Sequence, residues 1–151
     1  MVTSELDILL SETENEDVMI GFINASAETV WNLIADFEST SKWIPAIVES
    51  KTISSDNEHI RTLRLDNGSV IKEKLLTLDE KKRIFSFQIL ESPLPLAGYR
   101  STMTVYGLSK EQCYLVWTSV YPENTPDEAK KASKAIHEIG YAGLRKATEK
   151  S

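Results

Sequence analysis

The chain has 151 residues, 41% of them apolar and 26% charged, with 17 Lys and Arg against 23 Asp and Glu for a net charge of −6. That length suits one domain with a sizeable core, and the acidic balance disfavours nonspecific binding to nucleic acid or to an anionic membrane surface. The single cysteine, Cys113, cannot form an internal disulfide, which fits a reducing compartment. The first 17 residues hold no Lys or Arg and no long apolar run, unlike a signal or transit peptide, and no stretch reaches the length of a membrane span. The expectation is a soluble, cytoplasmic protein that does not insert into membranes, monomeric or homodimeric.

Residues 1–17 read as an acidic arm with one apolar patch, Leu6 and Ile8 to Leu10, either frayed or adding an edge strand. Residues 18–151 read as one domain. Residues 18–23 form a first strand. Ser26 is a candidate helix cap with Glu28 in the first turn, and Val30, Trp31, Leu33, Ile34 and Phe37 follow at helical spacing, predicting a helix over 27–37. A second short helix covers 39–44 and is stopped by Pro45.

The period then changes to two. Residues 47–53, 59–66, 69–78, 83–90, 99–106 and 114–121 read as strands. The strongest hairpin signal is Asp66-Asn67-Gly68-Ser69, whose Asn-Gly pair suits two positive φ angles. Residues 79–82 and 107–112 are further antiparallel turns. Short turns between successive strands imply a meander, and its apolar face must be covered.

The cover is residues 125–150, which read as one helix of about 37 Å at about 1.5 Å per residue. Thr125 as cap, Pro126 at the first helical position and Glu128 three residues after the cap make a capping box. One face carries Ala129, Ala132, Ile136, Ile139, Gly140, Gly143, Leu144 and Ala147, and the other carries Lys130, Lys131, Lys134, Glu138, Arg145 and Glu149. Two glycines inside a helix each cost about 1 kcal/mol against alanine. Either a neighbouring element packs tightly there, or the small residues leave room for a bound molecule.

The order strand, two helices, six strands, long helix, together with Asn24-Ala25-Ser26-Ala27-Glu28-Thr29-Val30-Trp31, Leu78-Asp79-Glu80, Arg83-Ile84-Phe85-Ser86-Phe87 and Tyr99-Arg100-Ser101-Thr102, resembles the START-like or birch-pollen-allergen-like superfamily. Within it the chain is most similar to bacterial polyketide cyclase/dehydrase-like proteins and more distantly to plant abscisic acid receptors. The resemblance covers residues 18–150. It implies an α+β helix-grip fold, a curved seven-stranded antiparallel sheet wrapped around a long C-terminal helix, enclosing a pocket for a hydrophobic small molecule. The receptors' Gly-Leu-Pro-Ala gate falls at Asp66-Asn67-Gly68-Ser69, their ligand-pairing lysine near Ala46, and their His-Arg-Leu latch at Leu94-Pro95-Leu96, so the receptor motifs themselves are missing.

Candidate residues follow. Alternation puts Glu73 on the face of Ile71 and Leu75, opposite Lys72 and Lys74, and it matches a pocket glutamate of the receptors. Buried, it would have a raised pKa and could serve as acid, base or hydrogen-bond partner; otherwise it pairs with Arg64 or Lys72. Tyr99 and Ser101 turn inward with Met103 and match family pocket positions, as wall or as packed core. Residues 91–96, stiffened by Pro93 and Pro95, form an entrance lid with Leu96 on the ligand, or a rigid plug. Phe87, Trp117, Ile136 and Ile139 face the space between sheet and helix, with Gly143 below and Trp43 closing the far side of the cavity or capping the core. His59 and His137 read as exposed and without metal-ligand spacing, and Cys113 as an inert strand thiol. No phosphate loop, nucleophile elbow or zinc pattern occurs, and neither cofactor nor metal is implied. Three functions remain open: a binding protein for a lipid or polyketide-like molecule, a cyclase or dehydratase using Glu73 and Tyr99, and a protein-interaction domain with a closed cavity.

Overall fold

The computed structural model describes residues 8–149; the first seven residues of the expected arm, with Leu6, and Lys150 lie outside the described residues. In chain order the elements are β1 (Ile8–Glu12), β2 (Glu16–Ile23), α1 (Ala27–Ala35), a 3₁₀ turn (Ser39–Lys42), β3 (Ile47–Ser55), β4 (Glu58–Leu65), β5 (Val70–Asp79), β6 (Ile84–Glu91), β7 (Arg100–Ser109), β8 (Gln112–Val120) and α2 (Asp127–Thr148). All eight strands form one antiparallel sheet in the order β1-β2-β8-β7-β6-β5-β4-β3. The fold is the expected helix grip with eight strands rather than seven, because Ile8–Glu12 pairs along the outer edge of β2.

Period-two burial builds the inner face. Along β8, Cys113, Leu115, Trp117 and Ser119 are buried while their neighbours are not, and Ser101, Met103 and Val105 repeat the pattern on β7. Register shifts at Lys72/Glu73 and Leu75/Thr77 bulge β5, and such bulges bend a strand and re-aim its side chains. At α1, the Ser26 hydroxyl accepts from the Thr29 amide at 3.1 Å, a side-chain N-cap.

The start of α2 differs from expectation. Pro126 is extended (φ −61°, ψ 144°) and occupies the cap, and the Thr125 hydroxyl donates to the Pro122 carbonyl at 2.6 Å, so no capping box forms. The hairpin signal is also displaced. Positive φ at both central residues occurs at Asp56 (48°) and Asn57 (66°), between the paired Ser55 and Glu58. A two-residue turn needs that geometry to match the strand twist. The β4–β5 turn is longer: the Gly68 amide bonds to Leu65 O at 3.0 Å, the Ser69 amide bonds to the Asn67 side chain at 2.8 Å, and only Gly68 has positive φ (88°).

The buried line of α2 is Ala129, Ser133, His137, Gly140, Tyr141 and Leu144. Of the expected stripe Ala129, Gly140 and Leu144 are buried, but Ile136 and Ile139 are 37% and 49% exposed, and His137, expected exposed, is 4% exposed. Close approach sets this rotation. A Cβ at Gly143 would lie 1.6 Å from the Trp43 carbonyl oxygen, and one at Gly140 would lie 2.9 Å from the Trp117 ring. Tyr141 lies over Gly21, where a Cβ would meet its ring at 2.5 Å, and its hydroxyl reaches the carbonyls of Leu115 and Met19 at 2.7 and 3.0 Å. The glycines thus serve tight packing, chiefly against the segment after the 3₁₀ turn. Replacing Gly143 by Ala drives a methyl into rigid backbone and is expected to destabilise the fold by about 3 kcal/mol or more, read as a lowered midpoint in chemical denaturation.

Candidate ligand cavity

Beside this contact, α2 and the sheet stand apart and enclose a cavity of about 290 Å³. Leu63, Ile71, Phe87, Ile89, Met103 and Trp117 line it from the strands, Ser133, Ile136 and His137 from α2, Trp43, Ile44 and Ile47 from the segment entering β3, and Ser92, Pro93, Leu94 and Leu96 from the β6–β7 loop. Leu65, Asn67 and Ser69 of the β4–β5 turn complete the wall. The places where the receptor gate and latch would fall therefore both border the cavity, built from other residues.

Besides the small polar side chains of Thr40, Asn67, Ser69, Ser92 and Ser133, two buried polar networks interrupt the apolar lining. The first is a cross-strand pair: Arg61 of β4 stands opposite Glu73 of β5. Arg61 Nε and NH2 both reach Glu73 Oε1, at 2.7 and 2.6 Å, while NH1 donates to Phe37 O at 3.0 Å and Thr40 Oγ1 at 2.8 Å. The guanidinium also lies 4.4 Å from the Phe37 ring centre and 4.9 Å from that of Phe87. Burial pushes the Glu73 carboxyl above the usual carboxylate range, and the charge and hydrogen bond of Arg61 pull it back. The partners expected for Glu73 are engaged elsewhere, Arg64 with Glu49 and Lys72 with Glu91. Arg61 was missed by sequence reasoning, although its phase with Leu63 and Leu65 places it on the inner face.

The second is a ring of hydroxyls and imidazole. Tyr99 Oη lies 2.8 Å from His137 Nε2 and 2.9 Å from Ser119 Oγ, and Ser119 Oγ lies 3.3 Å from His137 Nδ1. With neutral His137, Tyr99 donates to Nε2, Nδ1 donates to Ser119 and Ser119 donates to Tyr99, so each group gives and accepts once. Burial lowers His137 to about 3 and raises Tyr99 to about 12, which suits neither to moving protons near neutrality. Trp117 stacks on His137 at 4.2 Å. The phase of His137 with Ala129, Ser133, Gly140 and Leu144 was the signal that could have found it.

Glu73, Phe87, Leu96, Tyr99, Trp117 and Ile136 thus all line this cavity. Ser101, Ile139 and Gly143 do not. Ser101 accepts from Trp117 Nε1 at 2.6 Å behind the wall, Ile139 is half exposed, and Gly143 abuts Trp43. His59 is exposed, its ring 2.6 Å from Ser54 Oγ. Cys113 is buried on β8, where burial raises its thiol to about 11, far from a reactive thiolate. Among the described residues no three His, Cys, Asp or Glu side chains cluster as metal ligands, and no helix is long and apolar enough to cross a membrane.

Known proteins share this fold. Residues 22–149 match the family described as polyketide cyclase / dehydrase and lipid transport, and the chain belongs to that family. The abscisic acid receptor PYL2 of Arabidopsis thaliana is 26% identical over 110 residues, which cover 70% of this chain and 58% of the receptor, so the match spans little more than half of that relative. Among solved structures, the protein XoxI from Bacillus cereus superposes with a TM-score of 0.78 at 27% identity, covering 89% of this chain and 95% of its own. The Zhui aromatase/cyclase from Streptomyces superposes with a TM-score of 0.68 at 18% identity, covering 87% and 89%, and so shares the fold.

Two measurements follow from the polar groups. Arg61→Met leaves Glu73 buried and unpaired and is expected to cost about 3–5 kcal/mol in denaturant melts, whereas Arg61→Met with Glu73→Leu recovers most of it. His137 binds its proton more weakly folded than unfolded, so its contribution is full above 6.5 and is lost as pH falls toward about 3. Stability should drop by about 2 kcal/mol between pH 7 and 5, at about 1.4 kcal/mol per unit below the ordinary imidazole value, and His137→Gln should flatten that slope.

Proposed function

We propose that this protein binds a hydrophobic or amphipathic small molecule, of lipid or polyketide-like character, between α2 and the sheet. The observation that carries the reading is the cavity of about 290 Å³ with a mostly apolar lining, near the lower end of the roughly 300–1,000 Å³ of small-molecule sites. Family membership is consistent with it. The helix glycines could have signalled either packing or a pocket; they pack, and the void lies beside them. The Pro93 and Leu94 segment and the half-exposed Ile136 form the rim through which a ligand enters. We place the protein in a bacterial cytoplasm, working as a monomer or homodimer, with residues 18–151 as one domain whose sheet Ile8–Glu12 extends at its edge.

A second reading is favoured by one observation: Glu73, 5% exposed, borders the cavity. A cyclase or dehydratase needs shape and one proton-moving group beside a bound carbonyl compound, and in this reading Glu73 is that group. The ring of Tyr99, Ser119 and His137 then shapes the cavity without moving protons. A protein-interaction role, with the cavity closed, would be favoured by an exposed apolar patch outside the pocket and draws no support from the cavity itself.

Native mass spectrometry of freshly purified protein should reveal a co-purified apolar molecule, and a panel of lipids and aromatics should contain compounds that raise Tm. Ile136→Trp, which places a large ring at the rim, should weaken that binding at least tenfold with little change in Tm. A protein that takes up no ligand under any condition refutes the proposal, and turnover of a polyketide-like substrate abolished by Glu73→Gln would establish the enzymatic reading in its place.

A further inference from the structure

We infer that the cavity selects an uncharged ligand carrying a hydroxyl or similar hydrogen-bond donor, read by Glu73 Oε2, and rejects carboxylates. This rests on the ligand-binding reading above and specifies its chemistry. Arg61 is the sole cationic side chain among the described residues that line the cavity. Its three nitrogens are engaged, two by Glu73 Oε1 and the third by Phe37 O and Thr40 Oγ1, and its faces lie against the Phe37 and Phe87 rings. The pair is electrically neutral as a unit, and no cation is left for an incoming anion.

The pairing is also one-sided. Both Arg61 contacts fall on Oε1 and, among the described residues, no hydrogen bond reaches Oε2. That oxygen opens on the cavity rather than lying sealed among protein atoms, so it stands as an acceptor for a donor that enters the space. A ligand hydroxyl supplies the missing proton. A ligand carboxylate would instead bring a second negative charge to the same place, stripped of water and unpaired, which is strongly unfavourable at short range. The ring of Tyr99, Ser119 and His137 offers no anchor for an anion, because its members already satisfy one another.

The test uses two probes of equal chain length, 1-decanol and decanoate, titrated into the full-length protein at pH 7.5 and followed by calorimetry and tryptophan emission, since Trp43 and Trp117 border the cavity. Decanol should bind at least tenfold more tightly than decanoate. In Glu73→Gln, which frees the Arg61 charge, the preference should shrink to less than threefold or reverse. Equal or tighter binding of decanoate by the unmodified protein overturns the inference, as does an unchanged preference in Glu73→Gln. Should that variant not fold, a crystal of the unmodified protein with decanol decides: a hydroxyl within hydrogen-bond distance of Oε2 supports the inference, and one bound elsewhere overturns it. Binding of neither probe overturns this inference, as tight decanoate binding does, while the ligand-binding reading itself stands or falls on the native mass spectrometry and the wider ligand panel.

Discussion

The backbone of α2 comes so near the Trp43 carbonyl that no side chain fits at Gly143. That contact fixes the helix at one point against the segment entering β3. Gly140 under the Trp117 and Trp43 rings, and Tyr141 over Gly21, fix its rotation. With depth and rotation set, the rest of the grip cannot close everywhere. The sheet bends at the β5 bulges, and the space between it and the helix opens beside His137 and Ile136. Small residues at the pinch and large ones around the opening are two sides of one packing solution.

An apolar cavity tolerates few polar atoms unless they satisfy one another. The two groups here do so differently. Tyr99, Ser119 and His137 close a ring in which every proton has an acceptor. The Arg61–Glu73 pair satisfies the cation from four directions, by carboxylate, carbonyl, hydroxyl and rings, yet leaves one carboxylate oxygen without a donor. The asymmetry between a completed network and an incomplete one gives the cavity its chemical direction.

The strand and helix order was legible in the sequence because periods of two and 3.6 are local, and Ser26 capped its helix as its spacing implied. The inward turn of Glu73 followed from alternation with Ile71 and Leu75. The guanidinium that receives it did not, because Arg61 is twelve residues away and meets Glu73 through the β4–β5 register. His137 was misplaced for a related reason: composition made the isoleucines natural members of the buried stripe, and the close approaches that turn the histidine inward onto the Trp117 ring and the Tyr99 hydroxyl join residues far apart in the chain.

The sequence by itself determined the order of elements, the meander, the sheet's inner and outer faces and the family to which the chain belongs, since these rest on near-neighbour patterning and turn chemistry. Tertiary structure decided where α2 pinches against the sheet's cover, which of two adjacent helix stripes is buried, which arginine neutralises Glu73 and where the void lies. Those outcomes depend on pairs of residues distant in the chain whose volumes and hydrogen-bond needs are met only once the layers come together.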